Sequence, residues 1–121
     1  MPRQVLEVTA KCPGMNDIIG AARNSRFGSA SMKKKWTRIF EKASRKQLSP
    51  IKHPVHLECI WIEGDRRRDL DNVSAAIKFV LDGMIAAGVL VDDSQKLVRS
   101  ISHTVETSRD KSYGVVVAID Y

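Results

Sequence analysis

The stretch Asp69-Leu70-Asp71-Asn72-Val73-Ser74-Ala75-Ala76-Ile77-Lys78-Phe79-Val80-Leu81-Asp82-Gly83-Met84-Ile85-Ala86-Ala87-Gly88 sets the architecture. Val73, Ala76, Ile77, Val80, Leu81 and Met84 recur at three- and four-residue spacing, which predicts a helix over Asp71–Ala87 with one apolar stripe. Asp71 or Asn72 can cap its N-terminus, and Gly88 supplies the left-handed residue at its end. Before it, Val55–Ile62 alternates as a strand with Val55, Leu57, Cys59 and Trp61 on one face. Ile60 and Ile62 make the other face partly apolar, so a strand covered on both sides is expected. The charged loop Glu63–Arg68 joins this strand to the helix.

Working outward, Gln4–Ala10 reads as a strand with Leu6, Val8 and Ala10 on one face, ended by Pro13-Gly14. Asn16–Ser31 starts helix-like and then reads as a mobile loop through Asn24, Ser25, Gly28, Ser29 and Ser31. Met32–Lys46 reads as a helix with Trp36, Ile39, Phe40 and Ala43 inward, stopped at Leu48-Ser49-Pro50. Leu97–Glu106 and Tyr113–Tyr121 read as the two strands of a hairpin, with Thr107–Lys111 in the turn. The expected fold is therefore α+β: one domain over residues 1–121, a small mixed sheet, two main helices and the order β-α-β-α-β-β.

A chain of 121 residues, 43% hydrophobic and 28% charged, is long enough for one core. No stretch has the run of about 20 apolar residues that a membrane span needs. Met1-Pro2-Arg3-Gln4 lacks the apolar region of a signal peptide, so a cytoplasmic protein is expected. Cys12 and Cys59 match no zinc or redox spacing and read as reduced thiols. The net charge of +6 is unevenly spread. Residues 1–68 carry 15 Lys/Arg against 6 Asp/Glu, whereas residues 69–121 carry 5 against 8. A basic surface draws a polyanion by counterion release, without sequence specificity.

Acidic residues gather where the basic half ends. Asp69 and Asp71 are two apart, so in an extended backbone both carboxylates point the same way. Two such like charges repel and call for a cation. Mg²⁺ takes oxygen ligands, keeps several waters, and can be held by one or two carboxylates beside a phosphate. A second pair, Asp92-Asp93, follows the helix. Either pair alone is also compatible with helix capping or a turn. Flanking one helix beside Arg66-Arg67-Arg68, they fit phosphodiester chemistry: a metal polarises the phosphoryl oxygen and acidifies its water, while arginines hold phosphates. Lys78, two helical turns from Asp71, either reaches a phosphate or pairs with Asp82 at i+4.

An unbroken helix from Asn72 to Ala87 is roughly 24 Å long. Residues 88–93 span at most about 20 Å. Asp69 and Asp71 could then not share one ion with Asp93 of the same chain, and a two-fold dimer with antiparallel helices would bring them together across subunits.

Asp69-Leu70-Asp71-Asn72, then Lys78-Phe79-Val80-Leu81-Asp82-Gly83-Met84, then Ala87-Gly88-Val89-Leu90-Val91-Asp92-Asp93-Ser94-Gln95, resemble the RusA-type Holliday junction resolvases. The resemblance covers at least residues 54–106, and Pro13-Gly14-Met15-Asn16, Arg23 and Met32-Lys33-Lys34 extend it loosely to phage-type members. It implies a homodimeric, Mg²⁺-dependent endodeoxyribonuclease, with Mn²⁺ as a substitute, that resolves four-way junctions by paired nicks in DNA recombination and repair. Asp69, Asp71 and Asp93 match the essential aspartates, with Asp92 beside them as a further metal ligand and Lys78 as the catalytic lysine. One position departs: the prototype's lysine lies four residues after the second aspartate, where this chain has Ala75. A three-residue insertion, close to one helical turn, would keep Lys78 on the same face. Expected phosphate contacts are Arg23, Lys33, Lys34, Lys35, Arg38, Arg66, Arg67 and Arg68. Neither a membrane nor a small-molecule cofactor is expected.

The rival reading is a non-catalytic DNA- or RNA-binding module. It accounts for the basic half but not for four aspartates placed where phosphate should lie. A Mg²⁺ enzyme acting on small phosphorylated molecules is opposed by the lack of a glycine-rich phosphate loop. His53, His56 and His103 form no convincing ligand set.

Overall fold

Strict alternation builds the centre of the molecule. In the computed structural model, which describes residues 2–121, Val55, Leu57, Cys59, Trp61 and Glu63 are buried while His56 and Glu58 are exposed. This is strand β2 (Val55–Glu63). The remaining elements are β1 (Arg3–Val8), α1 (Met15–Asn24), α2 (Arg26–Gln47), α3 (Leu70–Ser74), α4 (Ile77–Ala86), β3 (Val98–Thr107) and β4 (Gly114–Asp120). The sheet order is β1-β4-β2-β3. β4 runs antiparallel to both β1 and β2, and β3 runs parallel to β2. The α+β class and the mixed sheet agree with the expectation.

Three local expectations are corrected. First, β3 and β4 do not form a hairpin, because β2 lies between them. Val115, Val117 and Ile119 are buried, which favours a central place for β4, whereas β3 is mostly exposed and takes the edge. Residues 108–113 carry the chain past the end of β2, where Ser108 N donates to Glu63 O at 2.8 Å. Second, Asn16–Ser31 is helical on both sides of Ser25. Ser25 Oγ accepts from Gly28 N at 2.7 Å, so a residue that read as loop caps α2 instead. Third, the expected Asp71–Ala87 helix is two helices. Around Ala75-Ala76 the backbone tightens into i→i+3 bonds, Val73 O accepting from Ala76 N and Ala76 O from Phe79 N. The N-cap of α3 is Asp69, not Asp71 or Asn72.

The helices and the inward residues of the strands enclose one core. Phe40, Trp61, Met84, Leu6 and Ile119 are its largest fully buried side chains. Residues on the other face of the sheet are half-buried or exposed along β2 and half-buried along β4. Ile60 and Ile62 are only half-buried there, so β2 is not covered on both sides. Cys12 and Cys59 are free and buried, and burial pushes their thiols up to about 11 and about 12, which suits inert core groups. Gly88 has φ +77°, as the reading of the helix end required. No helix among the described residues is long and apolar enough to cross a membrane.

Helices α2 and α4 cross at Gly83, where a Cβ would run into Phe40 and come within 2.8 Å of the Glu41 backbone nitrogen. The contact is backbone, so it cannot yield by a rotamer change. Gly83→Ala should therefore lower stability by about 1–3 kcal/mol through overpacking, despite alanine's better helix propensity. A thermal melt showing equal or greater stability would contradict this packing.

Trp61 Nε1 donates to His103 Nδ1 at 3.0 Å, so the imidazole accepts in its neutral form. Burial holds His103 below its usual value of 6.5. The unfolded chain then takes up this proton at a higher pH than the folded one. The contribution of His103 is complete above that unfolded value and declines as pH falls below it. Urea midpoints should drop between about pH 7.5 and 5.5, and the drop should be smaller in His103→Gln.

Candidate metal and nucleic-acid site

The loop after β2 is held by an internal ion pair. Arg68 Nε and Nη2 donate to the two carboxylate oxygens of Glu63 at 2.8 and 2.9 Å, and Nη1 donates to Cys12 O at 2.9 Å. Asp17 adds a longer ion pair at 3.7 Å. The Arg68 side chain is 14% exposed and that of Glu63 5%, so this bidentate pair is partly desolvated. Bonded first to Glu63, the guanidinium is held above its ordinary range and stays charged. Among the three arginines expected to hold phosphate, Arg68 thus serves as an internal tie, while Arg66 and Arg67 are exposed. Removing it would leave Glu63 buried without its cation. Arg68→Ala should cost about 3–5 kcal/mol. A denaturant titration showing less than about 1 kcal/mol would mean the pair is an ordinary surface bridge.

This tie delivers the chain to α3. Asp69 caps the helix through its carbonyl, which accepts from Asn72 N and Val73 N at 3.0 Å each. Its carboxylate makes no capping bond. Asp71 Oδ1 accepts from Asn72 N at 3.0 Å. Both aspartates are exposed and form no ion pair among the described residues. Asn72 faces inward, and its Oδ1 accepts from Asn16 N at 3.1 Å, joining α3 to the start of α1. Gly14 leaves room for that join, because a Cβ there would press on the Asn72 and Arg68 side chains. The Pro13-Gly14-Met15-Asn16 segment and the Asp-Leu-Asp-Asn segment, far apart in sequence, therefore meet.

The break between α3 and α4 changes the geometry of the second acidic pair. The ten residues of α4 span about 15 Å. Beyond Gly88 the chain doubles back, with Met84 O accepting from Val89 N at 2.9 Å and Val89 O accepting from Ile51 N at 2.8 Å. It returns far enough that Asp93 Oδ2 lies 3.5 Å from Lys78 Nζ, in the first turn of α4. The helix-length argument for ligands shared between subunits loses its premise, since Asp93 reaches the N-terminal end of α4 within one chain.

Lys78 also pairs with Asp82 at 3.4 Å, the i+4 pair that the spacing offered as one of its two readings. Asp82 first, then Asp93, hold the ammonium above its ordinary range. It is a cation beside carboxylates and unsuited to accept a proton. Asp82, not singled out as a site residue, has its Oδ2 buried without a hydrogen-bond partner among the described residues. Its i+4 spacing from Lys78 was the available signal. Asp92 turns into its own loop, its Oδ1 accepting from Ser94 N at 2.8 Å, and hydrogen bonding from the Ser94 side chain first, then from this backbone N–H, pulls its carboxyl below the usual range.

The basic face of α2 adjoins this region. A cleft of about 320 Å³ between α1, α2 and α4 is lined by Met15, Met32, Lys33, Ala75, Lys78 and Phe79, among others. Lys33 and Lys78 thus border one opening. Lys34, Lys35 and Arg38 are exposed along α2, and Arg23 is exposed in the last turn of α1. Ala75 lies at the helix break on the same cleft.

The donor chemistry at Asp69 and Asp71 fits a hard, oxygen-seeking cation, while Asp93 is held at Lys78 and is not gathered with them into one cluster. The fit is to an open site: among the described residues no group of three or more His, Cys, Asp or Glu is close enough to cage an ion. Comparison with family models and with curated proteins finds no match for this chain.

Proposed function

We propose that this protein is a Mg²⁺-dependent, structure-specific endodeoxyribonuclease that resolves four-way DNA junctions by paired phosphodiester hydrolysis, acting in the cytoplasm as a homodimer in DNA recombination and repair. The observation that carries the proposal is the setting of two exposed carboxylates, Asp69 and Asp71, just before the α3–α4 break, and the Lys78–Asp93 pair just after it, next to a basic helix. The resemblance of residues 54–106 to the RusA-type resolvases supports the same reading.

In this reading Asp69 and Asp71 hold the ion, with Mn²⁺ able to replace it, and Asp93 completes the acidic set. When bound, the metal supplies charge neutralisation at the phosphoryl oxygen and a more acidic water. The protein's own groups position the DNA. Lys33, Lys34, Lys35 and Arg38 on α2, Arg23 on α1, and Arg66 and Arg67 in the loop contact phosphates, which orient the strand without reading its bases. Lys78 neutralises charge at or next to the scissile phosphate and exchanges its Asp93 contact for that phosphate. Its task is electrostatic, so Lys78→Ala should lower kcat by roughly 100-fold, while Lys78→Arg should retain part of it.

The experiment is cleavage of an end-labelled synthetic four-way junction, with linear duplex alongside. Symmetric nicks in the junction only, lost without divalent metal and in Asp71→Asn, are expected. Tight junction binding with no cutting under Mg²⁺ or Mn²⁺ would overturn the enzyme reading in favour of a non-catalytic DNA- or RNA-binding module.

A further inference from the structure

The cleft of about 320 Å³ between α1, α2 and α4 divides its lining by chemistry. Its walls are apolar: Met15 and Ile18 come from α1, Met32 from α2, Ala75 from the helix break and Phe79 from α4. Phe79 is buried, Ile18 and Met32 are half-buried, and Met15 is 45% exposed, so the apolar surface runs from a packed floor to an open rim. Ala75 contributes only a methyl group, which leaves the space at the break unfilled. Lys33 and Lys78 are exposed at the same opening, and Ser29 supplies a hydroxyl.

We propose that this cleft takes one base extruded from the DNA strand, next to the phosphate that is cut, with Lys33 and Lys78 on the phosphates that flank it. A nucleotide joins a flat ring with apolar faces to an anionic phosphate. The cleft pairs an apolar slot with two ammonium groups at its mouth. A purely apolar guest would leave both lysines unused, and a bare anion would leave the slot unused. Pockets for small ligands start at about 300 Å³, so the space suits one base and excludes a duplex. Methionine is flexible and polarisable, so Met15 and Met32 can close on either a purine or a pyrimidine ring.

The helices set the place along the strand. Asp71 lies in α3, about one helical turn before Ala75, and Lys78 links the cleft to Asp93 at 3.5 Å. A strand with its phosphate at the aspartates has the cleft directly beside it. Extruding a base costs stacking and pairing, and costs least where the stack is already interrupted. A four-way branch point is such a place, so the cleft favours a junction over linear duplex. The inference rests on the nuclease reading and adds to it a physical source of junction selectivity.

A junction carrying 2-aminopurine, a base that fluoresces when unstacked, provides the test in metal-free buffer. Scanned through the positions around the branch point, the probe should brighten severalfold at one position when the wild-type protein binds. Ala75→Phe and, independently, Met15→Trp fill the slot. Each should abolish the brightening and slow cutting of a normal junction by roughly 10- to 100-fold, the worth of one stacked base. A junction that is abasic at the bright position has nothing to insert, so both variants and the wild type should cut it at similar rates. No brightening at any position of a bound junction would overturn the proposal, as would folded variants equally slow on normal and abasic junctions. If both variants misfold, brightening by the wild type decides alone. A junction that is bound and brightens but is never cut under Mg²⁺ or Mn²⁺ sinks the nuclease alone. Symmetric nicks without brightening sink the base cleft alone, and failure to bind any junction sinks both.

Discussion

The ion pair between Glu63 and Arg68 governs where everything after β2 goes. Glu63 is the last residue of the central strand and is buried, so its charge needs a partner that stays with it. Arg68 meets that need and reaches on to the Cys12 carbonyl and to Asp17. One guanidinium thereby ties the sheet end, the loop and the start of α1 together. Asp69 follows immediately, so the positions of Asp69 and Asp71 relative to the sheet are inherited from this pair.

From that anchor the helical segment is pulled two ways. Asn72 is bonded to the backbone of Asn16 on one side, and Gly83 is pressed against α2 on the other. Two helices with separate anchors cannot stay coaxial, and the backbone breaks at Ala75-Ala76. The break is what allows Asp93, returning over buried Val89 and Leu90, to meet Lys78. Asp82 and Asp93, eleven residues apart, thus meet at Lys78, whose ammonium holds part of their charge.

The edges of the sheet express a second constraint. Backbone donors and acceptors need partners, and β1 finds them in the side chain of Gln47. The outward backbone groups of β3 find no side-chain partner among the described residues.

The sequence alone determined the α+β class, the inward faces of β1, β2 and α2, the left-handed residue Gly88 and the candidates Asp69, Asp71, Lys78 and Asp93. All of these rest on local periodicity, on turn chemistry, or on charges close along the chain. Tertiary structure decided the rest. Strand order was hidden because Leu97–Glu106 and Tyr113–Tyr121 pattern equally well as a hairpin or as strands either side of β2, and only competition for buried places puts β4 in the middle. The break at Ala75-Ala76 was invisible because both alanines favour helix, and the force that bends the chain comes from Asn16 and Phe40, far away in sequence. Arg68 read as one of three phosphate-binding arginines, since nothing local distinguishes it from Arg66 and Arg67. It becomes a structural tie because burial of Glu63 demands a cation, and burial is a property of the folded chain.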